Sequence, residues 1–281
     1  MDYSPKKMQE NINNNNFKFK KQFGQNFICD ENIINNIIDK SMIDKDTLVI
    51  EVGPGAGSLT NKLALNAKNV LCYEIDKEVK NILENNLKEY NNVEIIYEDF
   101  LTCNVVEDLK KYDYKKLYLV ANLPYYITTP IIMKLIDDHI NVDKIVVMVQ
   151  KEVGDRFKAK PKSKEYGSLT VFLNYYFDIK KIMDVSKNVF MPKPNVDSIV
   201  VEFSKTQNKY EVKDEDIFFK IVKDSFKQKR KTIKNNLREY NLDIIENVLK
   251  QNNFSLSSRA EEIPIEVFIK IANELSDSND K

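Results

Sequence analysis

Between Thr47 and Val149 short apolar runs alternate with stretches whose apolar residues recur every three or four positions. Thr47–Val52, Val70–Ile75, Val93–Tyr97, Leu117–Ala121 and Ile145–Val149 have the length and branching of strands, and the last is apolar throughout, as a strand covered on both faces must be. Ser58–Leu65, Lys77–Glu89 and a segment around Pro130–Asp137 read as the intervening helices; Val79, Ile82, Leu83 and Leu87 form the apolar stripe of the second. An earlier helix is expected where Asp30, a plausible N-cap, precedes Ile33, Ile34, Ile37 and Ile38. Strands alternating with helices predict an α/β fold with a mostly parallel central sheet, Rossmann-like in class. Ile179–Val185 and Ser198–Phe203 read as a closing pair of strands at one edge.

After about Ser204 only helical spacing is left, in Ile217, Phe218, Ile221 and Val222, then Ile244, Ile245, Val248 and Leu249, then Phe268, Ile269 and Ala272. The pattern therefore predicts a polar tail over 1–17, an α/β domain over 18–204, a polar linker near Lys205–Lys209 and a small all-helical domain over 210–281.

Composition narrows the setting. The chain has 281 residues, 43 Lys plus Arg against 43 Asp plus Glu, and a single histidine, His139. A neutral total argues against indiscriminate coating of nucleic acid but allows a local basic patch. Cys29, Cys72 and Cys103 are odd in number and form no Cys-x-x-Cys pair, so neither a disulfide framework nor a metal site is expected. No apolar run has the roughly 18 residues needed to span a bilayer, and the polar start has no secretory h-region, which predicts a cytoplasmic protein with no membrane partner.

Chemistry concentrates at the carboxyl ends of the expected strands, where open α/β sheets place their ligand crevice. Glu51-Val52-Gly53-Pro54-Gly55-Ala56-Gly57 is a glycine-rich turn; Gly53 and Gly55 let main chain approach a ligand closely, and Ser58 stands where a dinucleotide fingerprint would want its last glycine. A tight strand-to-helix turn would look the same. Glu74 ends the second strand, where a carboxylate can accept from both hydroxyls of a ribose, and Asp99 ends the third, where it can accept from an adenine amino group. Together these describe an adenosine site without a phosphate-gripping lysine. Asn122-Leu123-Pro124-Tyr125 follows the fourth strand. The Asn122 side-chain oxygen and the Leu123 carbonyl can hold an exocyclic amine, Pro124 fixes the main chain, and Tyr125 can stack on a base. Phe190, before Met191-Pro192-Lys193-Pro194, offers a second ring for the other face of a flipped base. The combination predicts methyl transfer to an amino group on a base. Lys18, Lys20 and Lys21, and the acid-free run holding Lys227, Lys229, Arg230, Lys231, Lys234 and Arg238, are the basic stretches expected to meet RNA.

In order along the chain, Gln22-Phe23-Gly24-Gln25-Asn26-Phe27, the glycine turn, Asn122–Tyr125, Val149-Gln150-Lys151-Glu152-Val153, Tyr166-Gly167-Ser168-Leu169, Phe190–Ser198, Arg230-Lys231-Thr232 and Arg259-Ala260-Glu261-Glu262 resemble the ribosomal RNA adenine N6,N6-dimethyltransferase family over most of the chain. Relatives usually have leucine at Ile28 and alanine at Gly154. The resemblance implies S-adenosylmethionine as the methyl donor, with Asn26, Ile28, Gly53, Glu74, Asp99 and Asn122 as contacts, and Asn122, Leu123, Tyr125 and Phe190 as the acceptor site. It implies dimethylation of two adjacent adenosines near the 3′ end of small-subunit rRNA, within a ribosomal small-subunit particle, by a monomer. Two other readings share the fold: a large-subunit rRNA adenine methyltransferase of the macrolide-resistance type, and a non-catalytic binding factor. The Arg259–Glu262 tail favours the small-subunit reading over the first, and an intact Asn122–Tyr125 element argues against the second.

Overall fold

In the computed structural model of the protein, residues 26–124, 127–206 and 210–279 are described. The expected polar tail, Lys18, Lys20, Lys21 and Tyr125 lie outside them. The elements are β1 (Phe27–Ile28), α1 (Glu31–Ser41), β2 (Thr47–Val52), α2 (Ser58–Asn66), β3 (Asn69–Tyr73), α3 (Lys80–Leu87), β4 (Val93–Ile96), α4 (Val105–Leu109), β5 (Lys116–Asn122), α5 (Thr128–Asp137), β6 (Lys144–Gln150), α6 (Lys151–Phe157), α7 (Ser168–Tyr176), β7 (Phe177–Val185), β8 (Phe190–Met191) and β9 (Ser198–Lys205). Four more helices follow: α8 (Glu215–Ser225), α9 (Ile233–Asn236), α10 (Leu242–Gln251) and α11 (Ile265–Asn279). The chain forms two compact units, one reaching to Gly154 and including Lys180–Ser204, the other comprising Asp155–Ile179 and Lys205–Lys281.

The first unit is built on a sheet ordered β4-β3-β2-β5-β6-β9-β7. Strands β2 to β6 run parallel, and β9 is antiparallel to β6. The chain enters at β2, winds outward through β3 and β4, then returns to β5 on the other side of β2. That reversal of direction makes the β2–β5 border a switch point, where the loops that follow the two strands part to leave a crevice. Every residue of β2 is buried, which explains its unbroken apolar run. One face packs Val49, Val70, Val120 and Val146 against Ile34 and Ile37 of α1 and Leu59 and Leu63 of α2. Asp30 caps α1 through its side chain, which accepts from the Asn32 N–H at 2.9 Å.

Element ends differ from the sequence pattern where a side chain intervenes. The expected helix at Lys77–Glu89 begins as a 3₁₀ turn, because the Asp76 carboxylate accepts from the Glu78 N–H at 3.1 Å and tightens the first turn. The pattern assigns no element to 151–176, where the structure has α6 and α7. Gly154 lies in α6 facing β9: a Cβ there would stand 2.3 Å from the Ile199 Cδ1, so the missing methyl is matched by that bulky neighbour.

The second unit is a helical body around Phe218, Ile221, Ile245, Leu249, Phe268 and Ile271. Segment 155–179 groups with it, although the pattern leaves that segment inside 18–204, because Tyr166 and Val171 are part of this helical core. The Tyr166 hydroxyl donates to the Ile263 carbonyl at 3.1 Å. Asp214 and Asn241 cap α8 and α10 with side-chain oxygens. Among the described residues no helix is long and apolar enough to cross a membrane.

Candidate active site

A cavity of about 230 Å³ opens at the carboxyl ends of β2, β3, β4 and β5. Asn26, Gly53, Gly55, Glu74, Asp99, Asn122, Leu123 and Pro124, all singled out in the sequence, line it together. The glycine turn comes off β2 with Gly53 at φ +73° and Gly55 at φ +58°, a region that L side chains adopt at a cost. A Cβ on Gly53 would stand 3.9 Å from the Pro124 Cδ, so the β2 and β5 exits are immediate neighbours. A Cβ on Gly55 would stand 2.6 Å from the Phe27 ring, which therefore lies flush against bare main chain. Asn86 steadies the turn by donating to the Ala56 carbonyl at 2.9 Å.

Glu74 is only 5 % exposed. Its Oε2 accepts from the Gly55 N–H at 3.0 Å and its Oε1 from the Asp76 N–H at 2.8 Å, which fixes the carboxylate against the turn. A carboxylate has about four acceptor positions, so these two bonds do not exhaust its capacity to accept from a ligand. Burial raises its pKa and the two N–H donors oppose that rise. Asp99 is held by the Leu101 N–H at 3.0 Å, beside Phe100, whose ring meets Tyr73 edge-on at 5.1 Å.

Asn122 ends β5, and its Nδ2 donates to the main-chain carbonyl of Asn26 at 2.8 Å. A carbonyl only accepts, so the nitrogen must face Asn26 and the side-chain oxygen is the end left for a ligand. Leu123 is buried, and the Pro124 carbonyl accepts from the Ile127 N–H at 3.2 Å, which turns the chain into α5. The third member named from the motif with a ring, Tyr125, is outside the described residues.

Two residues named from the sequence have their side chains elsewhere. Ile28 and Phe190 are 1 % and 5 % exposed and belong to the core under the sheet. The reason is register: β1 and β8 pair antiparallel with Ile28 opposite Phe190 and Phe27 opposite Met191. Opposed residues share a face, and faces alternate along a strand. Ile28 and Phe190 thus face the core, while Phe27 turns to the cavity. Phe27 is the lining residue that its strand neighbour's buried position would have revealed; Tyr73, Glu98, Phe100 and Leu101 also line the cavity, and only the last two gave no polar or strand-end signal.

The six cations of the 227–238 stretch are all exposed in the second unit. Lys227, Lys231 and Arg238 join Lys220 around a concavity that also holds Asp224 and Tyr240. Lys229 donates to the Lys164 carbonyl at 2.5 Å. The stretch is zipped to the Arg259 motif by an antiparallel bridge between Thr232 and Arg259 and by the Ile233 N–H on the Ser258 carbonyl at 2.9 Å.

A glycine turn, a buried strand-end carboxylate and an Asn-Leu-Pro exit meet at one switch point of a Rossmann-like sheet. A family model described as "Ribosomal RNA adenine dimethylase" matches residues 16–277, and the chain belongs to that family. Among curated proteins it is 46% identical over 280 residues to "Ribosomal RNA small subunit methyltransferase A" of Staphylococcus aureus, covering 96% of this chain and 94% of the relative. A protein of the same description from Oceanobacillus iheyensis is 42% identical over 278 residues, covering 96% and 95%. In fold the chain is similar to a crystal structure of a dimethyladenosine transferase from Plasmodium falciparum, with TM-score 0.75, 23% identity and coverage of 90% and 98%. It is also similar to the 23S rRNA methyltransferase ErmE, with TM-score 0.72, 24% identity and coverage of 89% and 100%. The protein is a methyltransferase of the adenine dimethylase family, and relatives of the small-subunit description share 42% to 46% of its sequence over nearly all its length.

Proposed function

We propose that the protein transfers methyl groups from S-adenosylmethionine to N6 of two adjacent adenosines in the 3′-terminal loop of small-subunit rRNA, giving N6,N6-dimethyladenosine during assembly of the small ribosomal subunit. The observation that carries this reading is the convergence of Asn122 with Gly53, Glu74 and Asp99 on one cavity. The donor fits that cavity on charge. Among the described residues its lining includes Glu74, Glu98 and Asp99 and no lysine or arginine, which suits an adenosine joined to a cationic sulfur and not a phosphate chain. When bound, S-adenosylmethionine supplies a methyl group on a positively charged sulfur.

The protein's own residues would align the partners. Glu74 is placed for the ribose hydroxyls and Asp99 for the adenine amino group of the donor. The Asn122 oxygen and the Leu123 carbonyl accept from the two hydrogens of the acceptor N6, drawing its lone pair out of conjugation and towards the methyl carbon. A methyl group supplied by the donor's sulfonium would leave a neutral thioether behind and put the positive charge on N6, whose extra proton would then pass to solvent water. Alignment therefore supplies most of the barrier reduction and no strong base is required. Tyr125 is proposed to stack on the acceptor base. Ile28 and Phe190 are proposed to serve the site by seating β1 on β8 within the core. The exposed cations at Lys227, Lys229, Arg230, Lys231, Lys234 and Arg238 are proposed to hold RNA phosphates. The enzyme is proposed to act as a cytoplasmic monomer on a ribosomal particle.

The test is transfer of labelled methyl from S-adenosylmethionine to small subunits that lack the modification, followed by mapping of the modified bases. Two labelled adjacent adenosines in small-subunit rRNA are expected. Label in large-subunit rRNA would move the protein to the macrolide-resistance type, and no incorporation would leave only a binding role.

A further inference from the structure

Asn26 and Phe27 line one side of the cavity, and the segment from Asn26 to Cys29 is tied down at several points. The Phe27 ring lies on Gly55, Ile28 pairs with Phe190, the Cys29 N–H donates to the Val189 carbonyl at 2.8 Å, and the Asn26 carbonyl accepts from Asn122 at 2.8 Å. The last tie differs from the others, because it comes from a side chain assigned to the acceptor. An amide has two unlike ends about 2.3 Å apart, joined by a rigid plane. Whatever holds the nitrogen also sets where the oxygen lies.

We propose that Asn122 is a two-ended clamp: its nitrogen fastens the Asn26–Cys29 segment beside the donor cavity, and that same bond turns its oxygen to receive the acceptor amine. This rests on the methyl-transfer reading and deepens it. Closing the donor site and aiming the acceptor are then one event. Without the Asn26 carbonyl in place, the amide could rotate and present N–H groups to an amine that itself needs an acceptor, which repels. With it in place only the productive face is shown. By linkage, donor occupancy that favours the closed segment must favour acceptor binding by the same factor.

Asn122→Asp separates the two ends. The carboxylate keeps an acceptor oxygen for the amine, but its other oxygen would face the Asn26 carbonyl with no hydrogen between them, and the fastening is lost. Asn122→Ala loses both ends. Two readouts independent of turnover apply to the full chain, after thermal melts have shown both variants folded. Hydrogen exchange at the Cys29 amide is expected to speed up about tenfold in both variants, while β2 and β3 amides stay as in the parent, from the loss of roughly one net hydrogen bond. Calorimetric titration with S-adenosylhomocysteine is expected to show about tenfold weaker binding in both. Unchanged exchange at Cys29 in the Asp variant overturns the clamp, as does a rise spread equally over β2 and β3, which would mark a merely structural role. If the parent protein itself fails to bind S-adenosylhomocysteine, the donor reading falls, while the exchange result still decides whether Asn122 fastens the segment.

Discussion

The two polar surfaces of this molecule are built on opposite terms. In the first unit three polar side chains at the cavity are pinned by main chain: Glu74 by two N–H groups, Asp99 by one, Asn122 by a carbonyl. In the second unit the cations of the 227–238 stretch stand exposed on a short helix and its flanking turns, and of the six Lys229 donates to a main-chain carbonyl. Bond-making needs atoms held to a fraction of an ångström, and side chains bonded to the main chain at a strand end supply that rigidity. Attraction to phosphate needs only charge of the right sign within a Debye length, about 8 Å at physiological salt, so flexible side chains suffice. Single substitutions should therefore produce steep, local losses in the first unit and shallow, additive, salt-sensitive ones in the second.

The steepest expected loss is one of folding. Phe190→Ala removes a buried ring from the core face of β8 and should lower stability by about 3–5 kcal/mol, read from denaturant melts. A near-silent melt with abolished transfer would show that the ring works at the cavity and not in the core. Next is Asn122→Ala, expected to keep the fold and to lower the transfer rate by about 10²–10³-fold, as loss of one preorganised polar contact to a reacting group does elsewhere. Turnover at the parent rate would remove the alignment mechanism.

A third contrast lies within the first unit itself. Glu51 is 2 % exposed on β2, opposite Cys72, whose thiol donates to it at 3.8 Å. Burial pushes its pKa up to about 8. A carboxyl whose folded pKa exceeds its unfolded one binds its proton more tightly when folded. Stability from this group is thus full below about pH 4.5 and declines as pH rises to about 8. Glu74, also raised by burial, acts in the same direction. Glu51→Gln should flatten this decline and recover on the order of 1–3 kcal/mol at pH 8.5, measured by melts across pH 5–9. An unaltered slope would mean that Glu51 is charged in the folded protein.

Much of this was legible in the sequence because it depends on periodicity. The five parallel strands, the edge pair and the glycine turn follow from apolar runs and from positions that demand positive φ. Glu74, Asp99 and Asn122 follow from being polar residues at strand ends. What could not be read was facing. A two-residue strand such as β1 is too short to show alternation, so nothing in Asn26-Phe27-Ile28 says which of the last two meets the ligand until Phe190 is seen opposite Ile28. Helices α6 and α7 escaped for a related reason: at seven and nine residues each is too short to show a repeating apolar stripe. Gly154 looked like a neutral departure from alanine, and only the Ile199 side chain shows why it is small.

The smallest expected effect tests the other half of the contrast. Lys231 is exposed and lines the concavity formed with Lys220, Lys227 and Arg238. If it meets one RNA phosphate, Lys231→Ala should weaken binding to small-subunit RNA only several-fold near 0.15 M salt, on the order of 1 kcal/mol. The more telling number is the slope of log affinity against log salt, which should fall by about 0.7–0.9, the counterions released by one contact. Lys227→Ala should take off a similar increment of slope, since each phosphate contact releases its own counterions. A change in affinity with no change in slope would mean that the lysine supports the fold of the 227–238 turn, and a loss as steep as that of Asn122→Ala would mean that this surface, too, holds its ligand by fixed geometry.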